Sequence, residues 1–351
     1  MLNRHALFPV LAASVLVATG CTTSVTEAGD TRPAAAATEG VTKYPLSLEN
    51  CGKSYTFTEA PQRVVVMNGG SVGEVSSLLA LGVGDRVVAN AQSYGNSDVP
   101  GRAAAIDALP TGGITPNSMQ DIPREAMLSQ HPDLVISTGG GGFAADQGFA
   151  TRDELAAAGA NTYVPRTNCG VTGAVTGTPT IEDSYAMLRD LGAVFDVPGR
   201  ADRLIADSQR AIADTAARVS GEPKKNVLLV FAGMGMGGDD SDFSAIAAGG
   251  IWNDVLGKAG GVNPFERTDG TTFVTVSKEQ LAATPIDGLV VVNYRSPDID
   301  AVARRILAQF PQWPAAATGS YAVLADSIYL GPSNAVAVER IAKLVHPERF
   351  R

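Results

Sequence analysis

Residues Pro198–Ser220 read PGRADRLIADSQRAIADTAARVS. Apolar side chains fall at Ala201, Leu204, Ile205, Ile212, Ala216 and Val219, and polar Ser208 interrupts the stripe. That spacing puts them on one face of an α-helix. Asp196 stands where a cap belongs and Pro198 where a first-turn proline belongs. Gly221 and Pro223 stop the run. At 1.5 Å per residue the helix would span about 33 Å, the width of a small domain. The sequences on its two sides follow one plan, so the stretch reads as a beam joining two lobes. The rival reading is an ordinary surface helix of a single α/β domain.

The chain has 351 residues, 45% hydrophobic and 18% charged, which is a globular composition with room for two cores. The net charge of −9 leaves no basic excess to neutralise phosphates, and nucleic acid is excluded as a partner on that ground.

Residues 1–21 read as an export signal: Arg4, an apolar core from Ala6 to Ala18 too short to span a bilayer, then Ala18-Thr19-Gly20-Cys21. Small residues before a cysteine resemble the bacterial lipobox, which implies lipidation at Cys21. A plain secretory signal cut near Ala18 is the competing reading. Residues 22–42 lack periodicity and suit a flexible tether. Cys51 and Cys169 remain, each within Asn-Cys-Gly. In an oxidising compartment two leftover cysteines point to a disulfide. A metal site or a nucleophilic thiol competes, but neither has a histidine near it in sequence, since His5, His131 and His346 are the chain's three.

The first lobe, 43–197, opens with partial alternation over Lys43–Phe57, an entry hairpin or edge strands. Val64–Met67 reads as a buried strand, Asn68–Ser71 as a turn, Val72–Leu81 as a helix and Val87–Ala89 as a second strand, which is the unit of a parallel sheet. Gln92–Gln120 reads as irregular. Then come a helix to Ser129, a strand Leu134–Ser137, a helix Asp153–Ala158, a strand Thr162–Val164 and a helix Thr180–Leu191. Gly69-Gly70-Ser71-Val72-Gly73 also matches the G-x-S-x-G elbow of α/β-hydrolases, which makes a Ser71 hydrolase the distant alternative. Turn geometry alone explains those glycines, and neither His131 nor His346 is placed to serve as a base.

The second lobe, 221–351, repeats the order. A strand Val227–Phe231 leads into a glycine-rich turn and a helix Ala248–Lys258. A short helix Ser277–Ala283 precedes a strand Leu289–Asn293, as the helix ending at Ser129 precedes Leu134–Ser137. Next are a helix Ala301–Phe310, an apparent hairpin of Tyr321–Leu324 with Ser327–Tyr329, and a final helix Asn334–Val345. The expectation is an α/β fold of two Rossmann-like lobes joined by one long α-helix at 198–220. Ligands in such sheets sit beyond the strands' carboxyl ends, here a cleft between the lobes.

The segments PQRVVVMNGGSVGEVSSLLALGVGDRVV, LSQHPDLVIS, LRDLGAVFDVPGRADRLI, VSKEQLAATPIDGLVVV and GPSNAVAVERIAKLVHP, in that order and spacing, resemble the substrate-binding lipoproteins of bacterial ABC importers for ferric siderophores, haem and cobalamin. The early Asn-Cys-Gly resembles actinobacterial members. The resemblance covers most of the chain after Lys43. It implies a non-enzymatic, lipid-anchored, monomeric binder on the outer face of the cell membrane. Such a protein needs no cofactor or metal of its own. It would capture a ferric siderophore-type chelate, or alternatively cobalamin or haem, and deliver it to ABC permease subunits with small closure movements. It also implies an acid on each lobe for docking the permease, matched to Glu74 and, less closely, Asp254. Position after strands nominates Asn68, Tyr94, Phe143 and Arg166 as ligand contacts in the first lobe, and Met234, Met236, Phe243, Tyr294 and Arg295 in the second. Arg166 and Arg295 would suit an anionic ligand, and the methionines an apolar edge.

Overall fold

The computed structural model describes residues 41–67, 72–92, 96–115, 121–170, 177–232, 245–293 and 296–351. The chain enters through an antiparallel hairpin, β1 (Leu46–Asn50) and β2 (Lys53–Phe57). Then follow β3 (Val64–Val66), α1 (Val72–Ala80), β4 (Val87–Asn90), α2 (Arg102–Asp107), α3 (Arg124–Ser129), β5 (Leu134–Ile136), α4 (Arg152–Ala157), β6 (Asn161–Tyr163) and α5 (Ile181–Val194). The sheet order β4-β3-β5-β6 is wholly parallel. Sequence order reverses on either side of β3, so the crevice at its carboxyl end is a topological switch point. β3 and β5 are buried along their whole length, as expected of parallel strands covered on both faces.

α6 (Pro198–Arg218) is the long helix read from the sequence. Pro198 sits in its first turn, but Val197 occupies the cap position without a side-chain bond. Asp196 instead accepts the backbone N–H of Thr42 at 2.6 Å. The buried stripe is Ala201, Ile205, Ser208, Ile212 and Thr215. Ser208 therefore belongs to the buried face rather than breaking it, because the Tyr185 hydroxyl lies 3.0 Å from its own. Both helix ends are tied down. Arg200 donates to the Leu81 carbonyl at 2.9 Å, and Arg349 donates to the carbonyl of Arg218 at 2.8 Å.

Beyond it come β7 (Lys225–Ala232), β8 (Ala245–Ala247), α7 (Ile251–Lys258), β9 (Gly261–Val262), β10 (Phe273–Val274), α8 (Lys278–Ala283), β11 (Gly288–Asn293), α9 (Ile299–Gln309), α10 (Pro314–Thr318), β12 (Tyr321–Leu324) and α11 (Asn334–Val345). β7, β11 and β12 are parallel neighbours, while β8 and β10 extend the sheet antiparallel. The expected hairpin at Tyr321–Tyr329 is not formed. Tyr321–Leu324 is consumed by parallel pairing with β11, and Asp326–Ile328 is a short 3₁₀ turn. The stretch read as irregular before Gln120 contains α2, whose Ala-rich turn buries only Ile106.

The two sheets are not independently packed. One buried apolar cluster runs from Val64, Leu134 and Tyr163 of the first, through Leu188, Ile205 and Ile212 of α5 and α6, to Val227, Val290 and Ile341 of the second. Each lobe keeps a separate cluster on its outer face. A reciprocal pair of aspartates adds directional bonds to this shared core. Asp326, on the second-lobe 3₁₀ turn and 1% exposed, accepts Ser76 and Ser97 hydroxyls and the Asp98 N–H, all within 2.9 Å. Asp98, from the first lobe, accepts the N–H groups of Ala325 and Ser327 and pairs with Arg340 of α11. Each carboxylate thus satisfies donors presented by the other lobe.

Cys51 and Cys169 form a disulfide with Cα atoms 5.3 Å apart, closing a separation of 118 residues. The neighbouring Asn50 carboxamide donates to the Val164 carbonyl at 2.8 Å and accepts its N–H at 3.0 Å. The entry hairpin is thereby fixed to the end of β6.

Replacing Asp98 with alanine strands two backbone N–H groups and a guanidinium at the lobe junction, and it is expected to lower unfolding free energy by about 3 kcal/mol. Urea titration checks this, and a loss under about 1 kcal/mol would show the clasp to be dispensable.

Candidate functional site

The site begins where β3 gives way to α1. A Cβ at Gly73 would lie 1.5 Å from the Leu330 carbonyl oxygen, and one at Gly331 would lie 3.2 Å from the Gly73 Cα. The first turn of α1 therefore crosses second-lobe backbone at a distance only glycine permits. Gly73, the last residue of the elbow-like motif, is explained by this crossing. Ser71 itself lies outside the described residues.

Beside the crossing opens a cavity of about 230 Å³ lined from both lobes. Glu74 and Thr138 follow β3 and β5, and Asn168 and Pro179 follow β6. Trp252, Phe273, Tyr329 and Leu330 form the opposite wall. Phe231, at the end of β7, buttresses that wall, with ring centroids 5.0 Å from Trp252, 5.2 Å from Phe273 and 6.3 Å from Tyr329. Trp252 and Phe273 stand 5.2 Å apart. These spacings are those of favourable aromatic pairs. The Trp252 indole Nε1 is buried and has no hydrogen-bond partner among the described residues. A buried donor left without an acceptor is costly.

Glu74 is 3% exposed. It occupies the first turn of α1, where helix N–H groups favour a carboxylate, and Thr138 donates to it at 3.2 Å. Burial outweighs both and pushes its pKa up to about 7. A carboxyl so placed does not project to the surface, and the docking role expected of Glu74 is corrected on that ground. Asp254 is also engaged, accepting the N–H of Ile181 at 3.0 Å and so satisfying the start of α5.

Two further expectations change. Phe143 is 8% exposed and packs in the outer core of the first lobe, with the Arg152 guanidinium 4.8 Å from its ring centroid; it is not a cleft wall. Arg166 does follow β6, but its fork is bound to Asp190 at 2.9 and 2.7 Å. Asp190 also accepts from buried Tyr163 at 3.1 Å. The Asp190 hydrogen bonds raise the Arg166 pKa, and its charge is already matched. Asn68, Tyr94, Met234, Met236, Phe243, Tyr294, Arg295 and Cys21 lie outside the described residues. The sequence reading missed Trp252, Phe273 and Tyr329. Trp252, one of two tryptophans, follows Gly249-Gly250 at a helix start, and that was the available signal. Nothing local marks Phe273 or Tyr329, which topology alone brings to the wall.

A family model described as Periplasmic binding protein matches residues 64–328. The chain is a periplasmic binding protein. This periplasmic binding protein belongs to a family of binders, not enzymes, so the hydrolase reading of Ser71 falls away. A search of curated proteins finds no match. Among solved structures, a periplasmic binding protein from Veillonella parvula shares 19% identity at a TM-score of 0.67, over 86% of this chain and 97% of that one. A structure described as an ABC-type Fe3+-hydroxamate transport system from Saccharomonospora viridis shares 23% at 0.66, over 87% and 100%. A periplasmic heme binding protein from Pseudomonas aeruginosa shares 24% at 0.57, over 82% and 94%. These likenesses extend across both lobes and the connecting helix. No described helix is long and apolar enough to cross a membrane.

The raised Glu74 pKa sets a pH dependence. Below about 4.5, its ordinary value, the group is protonated both folded and unfolded, and it contributes nothing. As pH rises to about 7 the unfolded chain releases the proton while the folded one retains it, so stability falls by about 3 kcal/mol and then levels. Glu74→Gln should abolish that slope, raising Tm at pH 8 and leaving it unchanged at pH 4. Calorimetry across pH checks this; parallel wild-type and variant profiles would contradict it.

Proposed function

We propose that this protein is an extracytoplasmic lipoprotein, anchored through Cys21, that captures a ferric siderophore-type chelate and passes it to an ABC permease. The observation that carries the reading is the aromatic, two-lobed cavity with its orphaned Trp252 donor. Such a wall offers a large flat contact and few polar anchors, which suits a compact chelate with an apolar periphery. The structural likeness to a protein described for Fe3+-hydroxamate transport supports it. The second reading, haem, is favoured by the same wall and by the likeness to a heme binding protein. Against it, the two described histidines are elsewhere. His346 is buried beside the Gly260 carbonyl, and His131 occupies a positive-φ turn.

The Cys51–Cys169 bond fits an oxidising compartment outside the cytoplasm. The shared core and aspartate clasp support a cleft largely formed before ligand arrives. For permease docking, the repeat offers a better-placed pair than Glu74 and Asp254. α3 precedes β5 as α8 precedes β11, and the two helices carry exposed Glu125 and Glu279 in their first turns. Equivalent acids on two lobes suit a permease with paired basic surfaces.

Purified protein should show quenched tryptophan fluorescence and a raised Tm with one or more members of a panel of ferric chelates, haem and corrinoids. A ferric chelate is the expected hit. Silence across the panel would sink the proposal, and a response to haem alone would replace it with the second reading. In cells that depend on this protein for uptake, Glu125→Arg with Glu279→Arg should abolish import while Kd stays within about twofold. Undiminished import would remove these residues from the docking surface.

A further inference from the structure

The charge of the crevice has a consequence for which chelate enters it. Among the described lining residues Glu74 is the one charged side chain, and no lysine or arginine accompanies it. The described charged and titratable groups on the elements packed around it are otherwise engaged. Tyr163 of β6 donates to Asp190, and Asp190 holds the Arg166 fork. Arg102 donates to the Ser76 carbonyl at 2.6 Å, and Asp326 is filled by donors of the clasp. Tyr329 contributes a ring to the wall. Among the described residues, a carboxylate 3% exposed and bonded by the Thr138 hydroxyl thus lines the cavity without a counter-charge.

Opposite stand three aromatic rings. Trp252, Phe273 and Tyr329 line the same cavity, and π-faces attract cations most strongly where water is excluded. An anion placed there would meet the like charge of the Glu74 carboxylate. A cation would meet a carboxylate from one lobe and aromatic side chains from the other.

Resting on the chelate-binding reading above, we infer that the crevice selects a ligand with a cationic alkylammonium arm, held between the Glu74 carboxylate and the Trp252–Phe273–Tyr329 wall. The arm's neighbouring carbonyl groups supply the acceptor that the Trp252 N–H lacks. Because the Glu74 pKa is raised to about 7, the counter-charge is in place above neutrality and is lost as the carboxyl takes up its proton below it. Selection for the cationic arm therefore strengthens as pH rises from 6 to 8.

The test compares two probes that differ in this arm alone: a linear ferric trihydroxamate with a free terminal ammonium, and the same chelate N-acetylated. Kd is measured with the full-length exported protein by tryptophan quenching at pH 6 and pH 8. The expected result is binding of the ammonium form about tenfold tighter at pH 8, a preference that shrinks at pH 6. In Glu74→Gln the two chelates should bind within about twofold of each other at both pH values. Equal affinity of the two chelates for the wild type, or an undiminished preference in Glu74→Gln, overturns the inference and leaves the chelate-binding reading standing. Failure of both chelates to bind overturns this inference along with their capture.

Discussion

Two aspartates hold the lobes in register. Asp98 and Asp326 each reach into the other lobe and satisfy backbone N–H and hydroxyl donors that packing would otherwise leave buried and unpaired. Hydrophobic burial brings the sheets together without specifying an angle, since it is non-directional. The carboxylates supply direction. Once they fix the approach, α1 must cross the backbone at Leu330, and residue 73 must have no side chain. The cavity beside that crossing, its size and the confrontation of Glu74 with an aromatic wall all follow from this one constraint.

A rigid junction also explains how an awkward electrostatic arrangement can persist. A buried carboxyl with a raised pKa would be relieved by small movements admitting water. Here its helix is pinned at both ends, by the glycine crossing and by Arg200 holding the Leu81 carbonyl. Among the described residues, the Glu74 carboxyl keeps the Thr138 hydroxyl as a partner and the buried Trp252 N–H keeps none. Binding proteins gain affinity from such preorganisation, because little of the interaction is spent on ordering the site.

Periodicity and punctuation made most elements legible. The helix at Pro198 and the strands at Val64, Leu134, Val227 and Leu289 were visible because apolar spacing and flanking glycine or proline are local signals. Tyr321–Leu324 was misread because the choice between a hairpin and a parallel ladder lies in β11, some thirty residues away in sequence. The site was less legible for the same reason. Glu74 was found by its place in a motif and given a surface role, since a sequence shows charge without showing burial. Phe143 looked like a cleft aromatic because it follows a strand, yet the turn after β5 folds it inward. Arg166 looked free because Asp190, its partner, lies on the next helix.

The route by which the chain enters has a mechanical meaning. Thr42 donates to Asp196 and to the Ala193 carbonyl, and the Tyr44 hydroxyl donates to the Val194 carbonyl. Residues 42–44 are thus held at the corner between α5 and α6, at the head of the connecting helix. A force applied at that corner would run along a stiff strut instead of prying the lobes apart.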